Sequence, residues 1–157
     1  MGEDIVVGGL DLRREYPTQP IVGVGAVIVD EGKLLLVKRG VEPGKGKWSI
    51  PGGAVELGEK VRDAVVREAE EESGLKVEIV IDRPLDTVDN IMMDENKRLQ
   101  YHYVLLQFLI RPKSGTPKSG GDVLDAKWVS LDEVETYDLT TSFRSFFKRH
   151  RNELEGF

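Results

Sequence analysis

Four of the five residues from Glu68 to Glu72 are glutamates, and the 157-residue chain contains no cysteine. Carboxylates crowded this closely either stay in water or hold cations. The residues around them decide between the two. At ~100° per residue with Val61 at zero, Val65 lies at ~40°, Ala64 at ~300° and Ala69 at ~80°, a stripe that faces a core. Arg62, Asp63, Arg67 and Glu70 fall on the opposite, solvated side. Glu72 at ~20°, Glu68 at ~340° and Glu71 at ~280° point where the apolar residues point.

A glutamate on the wet face of a helix is ordinary. That accounts for Glu70 and fails for Glu68 and Glu72. These acids also sit in the last turns, where the helix dipole disfavours each negative charge by roughly 0.3–1 kcal/mol. Burying unpaired carboxylates costs more. Two readings remain, a solvated acidic patch and a cation site, and the cation site explains more. All-oxygen ligands select a hard dication such as Mg²⁺, with Mn²⁺ able to substitute.

The helix needs a frame to hold it. Ile21 to Val29 is a β-branched run suited to a strand covered on both faces, and Asp30-Glu31-Gly32-Lys33 turns it back into Leu34–Val37. Gly40 to Gly46 is a hairpin loop without Walker spacing or a Gly-Lys-Ser/Thr ending, so it is not a phosphate-cradling P-loop. Trp48-Ser49-Ile50 leads into a stiff turn, Pro51-Gly52-Gly53. A helix spans about Gly58 to Ser73, closed by Gly74. Lys76–Ile81, Tyr101–Ile110 and Ala126–Val129 are strands, and Gly115 to Gly121 is a loop. Thr140 or Thr141 caps a final helix with Phe143, Phe146, Phe147 and His150 on one stripe. The class is α/β, with strands and helices in mixed layers. Residues 1–20 form an N-terminal arm or edge strand, and 21–157 a single domain.

With 39% hydrophobic and 32% charged residues the composition is that of a globular protein, and the net charge of −6 repels nucleic acid polymers and anionic lipid. The absence of cysteine removes disulfides, thiolate metal sites and thiol nucleophiles. No apolar run reaches bilayer length and no charged-then-apolar leader is present, so a cytoplasmic protein without membrane contact is expected.

Gly53, five residues, Glu59, seven residues, Arg67-Glu68-Ala69, one residue, Glu71-Glu72, one residue, Gly74-Leu75 resembles the Nudix box without a gap. Trp48 to Gly53 is similar to the family's approach to that box. The resemblance implies an α/β/α sandwich with a mixed central sheet, in which a loop–helix–loop presents carboxylates to Mg²⁺ or Mn²⁺. It implies hydrolysis of a nucleoside diphosphate linked to another group. Carried over by position, Glu68 and Glu72 are the principal metal ligands, Glu71 assists them and takes part in catalysis, and a backbone carbonyl of Gly52 or Gly53 joins them. Glu56 and Glu59 fit water-mediated contacts, and Arg67 orients the carboxylates.

A general base in this family often comes from a downstream loop. Asp122 is the preferred candidate, with a turn-forming aspartate the alternative; Asp94, Glu95 and Asp125 are fallbacks. Arg39, with Lys38 beside it, is placed to touch substrate phosphate or to be a surface charge. His102 reads as a hydrogen-bonded strand residue, and Trp48 and Trp128 as core aromatics.

The stretch Leu34 to Gly53 lacks the arginine-bearing pattern of coenzyme A pyrophosphatases, and isomerases of this fold need a cysteine. The ADP-ribose pyrophosphatase proline is replaced by Asn90, and the dinucleoside polyphosphate hydrolase tyrosine by Met92. Tyr101–Leu105 with Asp125–Val129 nevertheless looks like small prokaryotic ADP-ribose pyrophosphatases, so ADP-ribose is the expected substrate, cut to AMP and ribose 5-phosphate. The alternative is hydrolysis of (deoxy)nucleoside triphosphates, including oxidised ones, and more distantly a non-catalytic nucleotide-binding module. The N-terminal arm leaves a homodimer possible.

Overall fold

The computed structural model describes residues 4–7 and 10–157, with side chains from residue 13 onward. A small antiparallel hairpin, β1 (Asp4–Val7) and β2 (Leu10–Arg13), comes first. The main sheet uses β3 (Ile21–Asp30), β4 (Lys33–Arg39), β5 (Trp48–Ser49), β6 (Gly52–Ala54), β7 (Lys76–Ile79), β8 (Asp86–Met93), β9 (Leu99–Ser114) and β10 (Val123–Ser130). Its path is β10-β4-β3-β9-β7, with β5 on β4, β6 on β3 and β8 on β9. The β3–β9 pair is parallel and the other pairs are antiparallel, so the sheet is mixed.

Strands β3 and β4 pair only at Val29↔Leu34 and Asp30↔Lys33, next to their turn. Beyond it β3 lies against β6 and β9, while β4 lies against β5 and β10. This parting of neighbouring strands lets β6, which carries Gly52 and Gly53, pair with β3 beside α1.

Two helices cover the sheet, α1 (Val61–Ser73) and α2 (Thr141–Leu154). Side-chain alternation along the strands assigns each residue to one layer. Val24, Ala26 and Ile28 of β3, Leu35 of β4, and Phe108 and Ile110 of β9 bury against Ala64, Val65 and Ala69 of α1. Val27, Val29, Leu34, Leu36 and Leu109 bury against Phe143, Phe146, Phe147 and Leu154 of α2. The result is an α/β/α sandwich whose strands are apolar on both faces, as the continuous Ile21–Val29 run requires.

The structure differs from the sequence reading at four places. Helix α1 starts at Val61 rather than near Gly58, because Glu56–Glu59 forms a turn of its own, closed by Glu59 N–H to the Glu56 carbonyl at 2.9 Å. Gly52-Gly53 is strand rather than turn, paired with Gly25 and Val24. Asp86–Met93, not foreseen as a strand, pairs with β9 along its length. It is an edge strand whose Ile91, Met92 and Met93 face solvent, so the period-2 burial signal is weak there. Thr140 occupies the N-cap position of α2, yet its side chain makes no capping hydrogen bond.

Candidate active site

Helix α1 ends at Gly74, which adopts φ 74° and returns its N–H to the Glu70 carbonyl at 3.0 Å. A left-handed residue here costs a glycine nothing. The loop after β9 crosses this end, with Lys118 N–H donating to the Ser73 carbonyl at 2.7 Å. The same loop leads to Asp122, whose carbonyl accepts from Gly40 N–H at 2.9 Å, next to Arg39. The end of α1, the end of β4 and the start of β10 therefore meet.

Arg67 is the centre of the acidic cluster: although the helical wheel sets it on the solvated side, its side chain is only 26% exposed and is ion-paired with the carboxylates, the contact the family resemblance implies. Its Nε and Nη2 grip Glu59 in a bidentate pair at 2.8 and 2.9 Å, and Nη1 donates to Glu68 Oε1 at 2.7 Å. Nη1 also lies 3.6 Å from Glu71, and Nη2 donates to the Ala54 carbonyl at 3.3 Å. The fork matches the planar geometry of arginine to several oxygens at once. Its hydrogen bond, seconded by the Glu56 backbone N–H, holds the Glu59 carboxyl down at about 2.

Glu72 has the opposite environment. The residue is only 7% exposed, and it accepts a long hydrogen bond from Gly52 N–H at 3.4 Å. Burial pushes its carboxyl up to about 8; the Gly52 N–H and Arg39 oppose this, while Glu68 and Asp122 add to it. Glu68 is also raised, chiefly by burial and against the pull of Arg67. A Cβ on Gly53 would come within 2.5 Å of the Glu68 carboxyl, so only glycine lets that carboxylate lie against β6.

These observations fit a hard dication. A buried Glu72 carboxyl and a half-buried Glu68 carboxylate, the latter tied to Arg67, offer oxygen donors of the kind such an ion takes. Among the described residues no three acidic or histidine side chains already close on one point. Further ligands must therefore come from backbone carbonyls, from water, or from Glu71, whose side chain is 54% exposed and turned toward Arg67.

Asp122 and Arg39, assigned from sequence, are brought to Glu72: both act on it electrostatically. Arg39 is fixed by its Nε–H donating to the Pro43 carbonyl at 2.6 Å. Two of the fallback acids are engaged by other groups. Asp94 is committed to the Tyr16 hydroxyl and to the N–H groups of Asn96 and Arg98, and Asp125 to Ala126 N–H. Trp48 and Trp128 pack on the two cores as expected. The sequence reading missed Arg14, which donates from Nε to the Tyr103 hydroxyl at 3.3 Å. A lone arginine in an irregular segment carries no spacing signal.

An α/β/α sandwich that presents an arginine-locked row of glutamates beside a buried carboxyl defines a protein of the Nudix class. The NUDIX domain family matches residues 19–150, and the chain belongs to it. An ADP-ribose pyrophosphatase of Methanocaldococcus jannaschii is 33% identical over 117 residues, which cover 73% of this chain and 64% of that protein. A nucleoside triphosphatase NudI of Enterobacter sp. strain 638 is 30% identical, covering 77% of this chain and 89% of that one. The crystal structure of a MutT NUDIX hydrolase from Burkholderia pseudomallei superposes with a TM-score of 0.67 at 34% identity, over 83% of this chain and 97% of that one.

Proposed function

We propose that the chain is a divalent-metal-dependent pyrophosphohydrolase that cleaves ADP-ribose to AMP and ribose 5-phosphate. The observation that carries the hydrolase reading is the buried Glu72 carboxyl, next along α1 to the half-buried Glu68 that the Arg67 fork holds. An ordinary surface patch has no use for a carboxyl held protonated to about pH 8. The likeness to the M. jannaschii ADP-ribose pyrophosphatase supports this substrate.

In this reading Glu68 and Glu72, with Glu71 and a carbonyl of Gly52 or Gly53, hold Mg²⁺, and Mn²⁺ substitutes for it. When bound, such ions neutralise the diphosphate and acidify a coordinated water. The chain's own residues do the positioning. Arg67 fixes the carboxylates, Arg39 neutralises a phosphate oxygen, and Asp122 takes the proton of the attacking water. Water adds to one phosphorus, the bridging P–O bond breaks, and the displaced phosphate leaves with its oxygen. Residues 1–20 are the arm of this enzyme and 21–157 its catalytic domain; it works in the cytoplasm, and a homodimer is compatible with the exposed edge strand β8.

The NudI likeness favours a second reading, hydrolysis of (deoxy)nucleoside triphosphates. A non-catalytic module is disfavoured because the full set of box glutamates is present. A product screen with Mg²⁺ over ADP-ribose, NADH, dinucleoside polyphosphates and dNTPs decides among them. AMP and ribose 5-phosphate as the dominant products support the first reading. Pyrophosphate released from dNTPs with no turnover of ADP-ribose replaces it with the second.

A further inference from the structure

The last carbonyls of a helix have no partner within it, so groups outside must cover them. At the end of α1 the segment 118–122 does this. Lys118 N–H donates to the Ser73 carbonyl at 2.7 Å. Gly120 lies so close on the Glu71 carbonyl that a Cβ there would be 2.4 Å from its oxygen. One residue on, a Cβ of Gly121 would sit 3.9 Å from Glu72 Cγ. The segment runs along the two glutamates that end the acidic row.

Asp122 comes next, and its far side is held in the same way. Its carbonyl accepts from Gly40 N–H at 2.9 Å, and a Cβ on Gly40 would come within 2.4 Å of that oxygen. Val123 N–H turns back to the Gly120 carbonyl at 3.3 Å. Backbone contacts thus fix Asp122 between Glu71 on one side and the residue after Arg39 on the other. Both close approaches are to backbone oxygens, which no side-chain rotation relieves. Neither Gly40 nor Gly120 has a positive φ, so the contact alone forbids a larger residue. Two glycines required by contact rather than by conformation flank a single aspartate.

We infer that Gly120 and Gly40 are positioning residues for the hydrolysis: their contacts hold Asp122 at the end of α1, where it takes the proton of the attacking water. This rests on the pyrophosphohydrolase reading above and on the base role given there to Asp122. It adds the device that aims the aspartate. A displacement of about 1 Å can cost 10²-fold in rate, and either alanine forces a shift of roughly that size.

The test is a double-mutant cycle on the full chain at saturating Mg²⁺, measuring kcat and KM for ADP-ribose. Gly120→Ala and Gly40→Ala are each made alone and together with Asp122→Asn. Alone, each alanine should lower kcat roughly 10- to 100-fold with KM changed less than about threefold. In the Asp122→Asn background the same alanine should cost less than about twofold. An alanine that costs as much without the Asp122 carboxylate as with it acts through the glutamates or the fold, and overturns the inference. So does a wild-type kcat in both alanine variants. If one variant does not fold, as read by its melting temperature, the other must show the pattern alone. If neither folds, the glycines hold the fold rather than the base, and the inference falls. Full activity in Asp122→Asn removes the base role and the positioning role with it. A wild type that leaves ADP-ribose intact fails the substrate reading before any variant is made; the cycle is then run on the dNTP it hydrolyses, and a wild type inactive on every nucleotide ends both.

Discussion

Glu72 and Glu59 lie in one cluster, and their surroundings drive them in opposite directions. Glu59 receives both arms of the Arg67 fork; Glu72 is enclosed by β6 and the helix end with one long N–H contact. A carboxyl raised to about 8 favours the folded, metal-free protein below the ordinary carboxylate pKa. That stability is lost as pH rises through about 8, where the buried group must ionise. Keeping a proton to about 8 rather than 4.5 corresponds to on the order of 5 kcal/mol at most. Thermal melts in EDTA should therefore fall from pH 5 to pH 8.5, and Glu72→Gln should flatten that slope. A slope unchanged in Glu72→Gln would mean that the burial of Glu72 is not what the melt reports.

The same substitution removes a proposed ligand. It should weaken Mg²⁺ binding by more than the roughly 10–100-fold that loss of an outer-shell partner costs, read by calorimetry at pH 8. In the wild type, Mg²⁺ uptake should release protons at pH 7 to 8, visible as a binding enthalpy that changes with the ionisation heat of the buffer. Asp122→Asn removes no proposed ligand, so it should change Mg²⁺ affinity far less than Glu72→Gln does while lowering kcat roughly 10²–10⁴-fold. Full activity in that variant would remove Asp122 from the base role.

Among the elements, α1 carries the proposed ligands and its neighbours set the terms. The helix presents Glu68 against β6 only because Gly53 has no side chain. Gly53→Ala should push the Glu68 carboxylate out of place and lower kcat, with far-UV circular dichroism unchanged. Helix α2 packs on the other face and ties itself to β8 through His150 and Arg149, which both reach Asp86. Phe146 is fully buried between Phe143 and His150, so Phe146→Ala should cost about 3–5 kcal/mol in denaturant melts. Its effect on kcat at a temperature where the variant stays folded should be small, which separates the layer that holds the fold from the layer that does the work.

Across the whole molecule, a net charge of −6 would repel the anionic substrate proposed above, and the proposed dications would offset that repulsion. Ion binding to the folded state alone should stabilise it by about 2.7 kcal/mol at a hundred times Kd. For a chain of this size that is a rise in melting temperature of roughly 5–10 °C, measured with Mg²⁺ against EDTA. No such rise would speak against a metal site on α1.

The order of residues along one helix settled much of this protein beforehand. Acid spacing relative to Val61, Val65 and Ala69 is a local property, since 3.6 residues per turn places side chains without reference to the rest of the chain, and the box, the two-faced strand β3 and the Gly74 stop were readable from it. What the tertiary structure alone decided depends on groups far apart in sequence. It placed Glu72 out of water because Gly52, twenty residues earlier, closes over it, and it turned Arg67 from a solvent-facing residue into the clamp on Glu59. It also brought Arg14 to Tyr103 across 89 residues. Burial and long-range pairing arise from the packing of whole layers, and no local period encodes which distant strand will arrive.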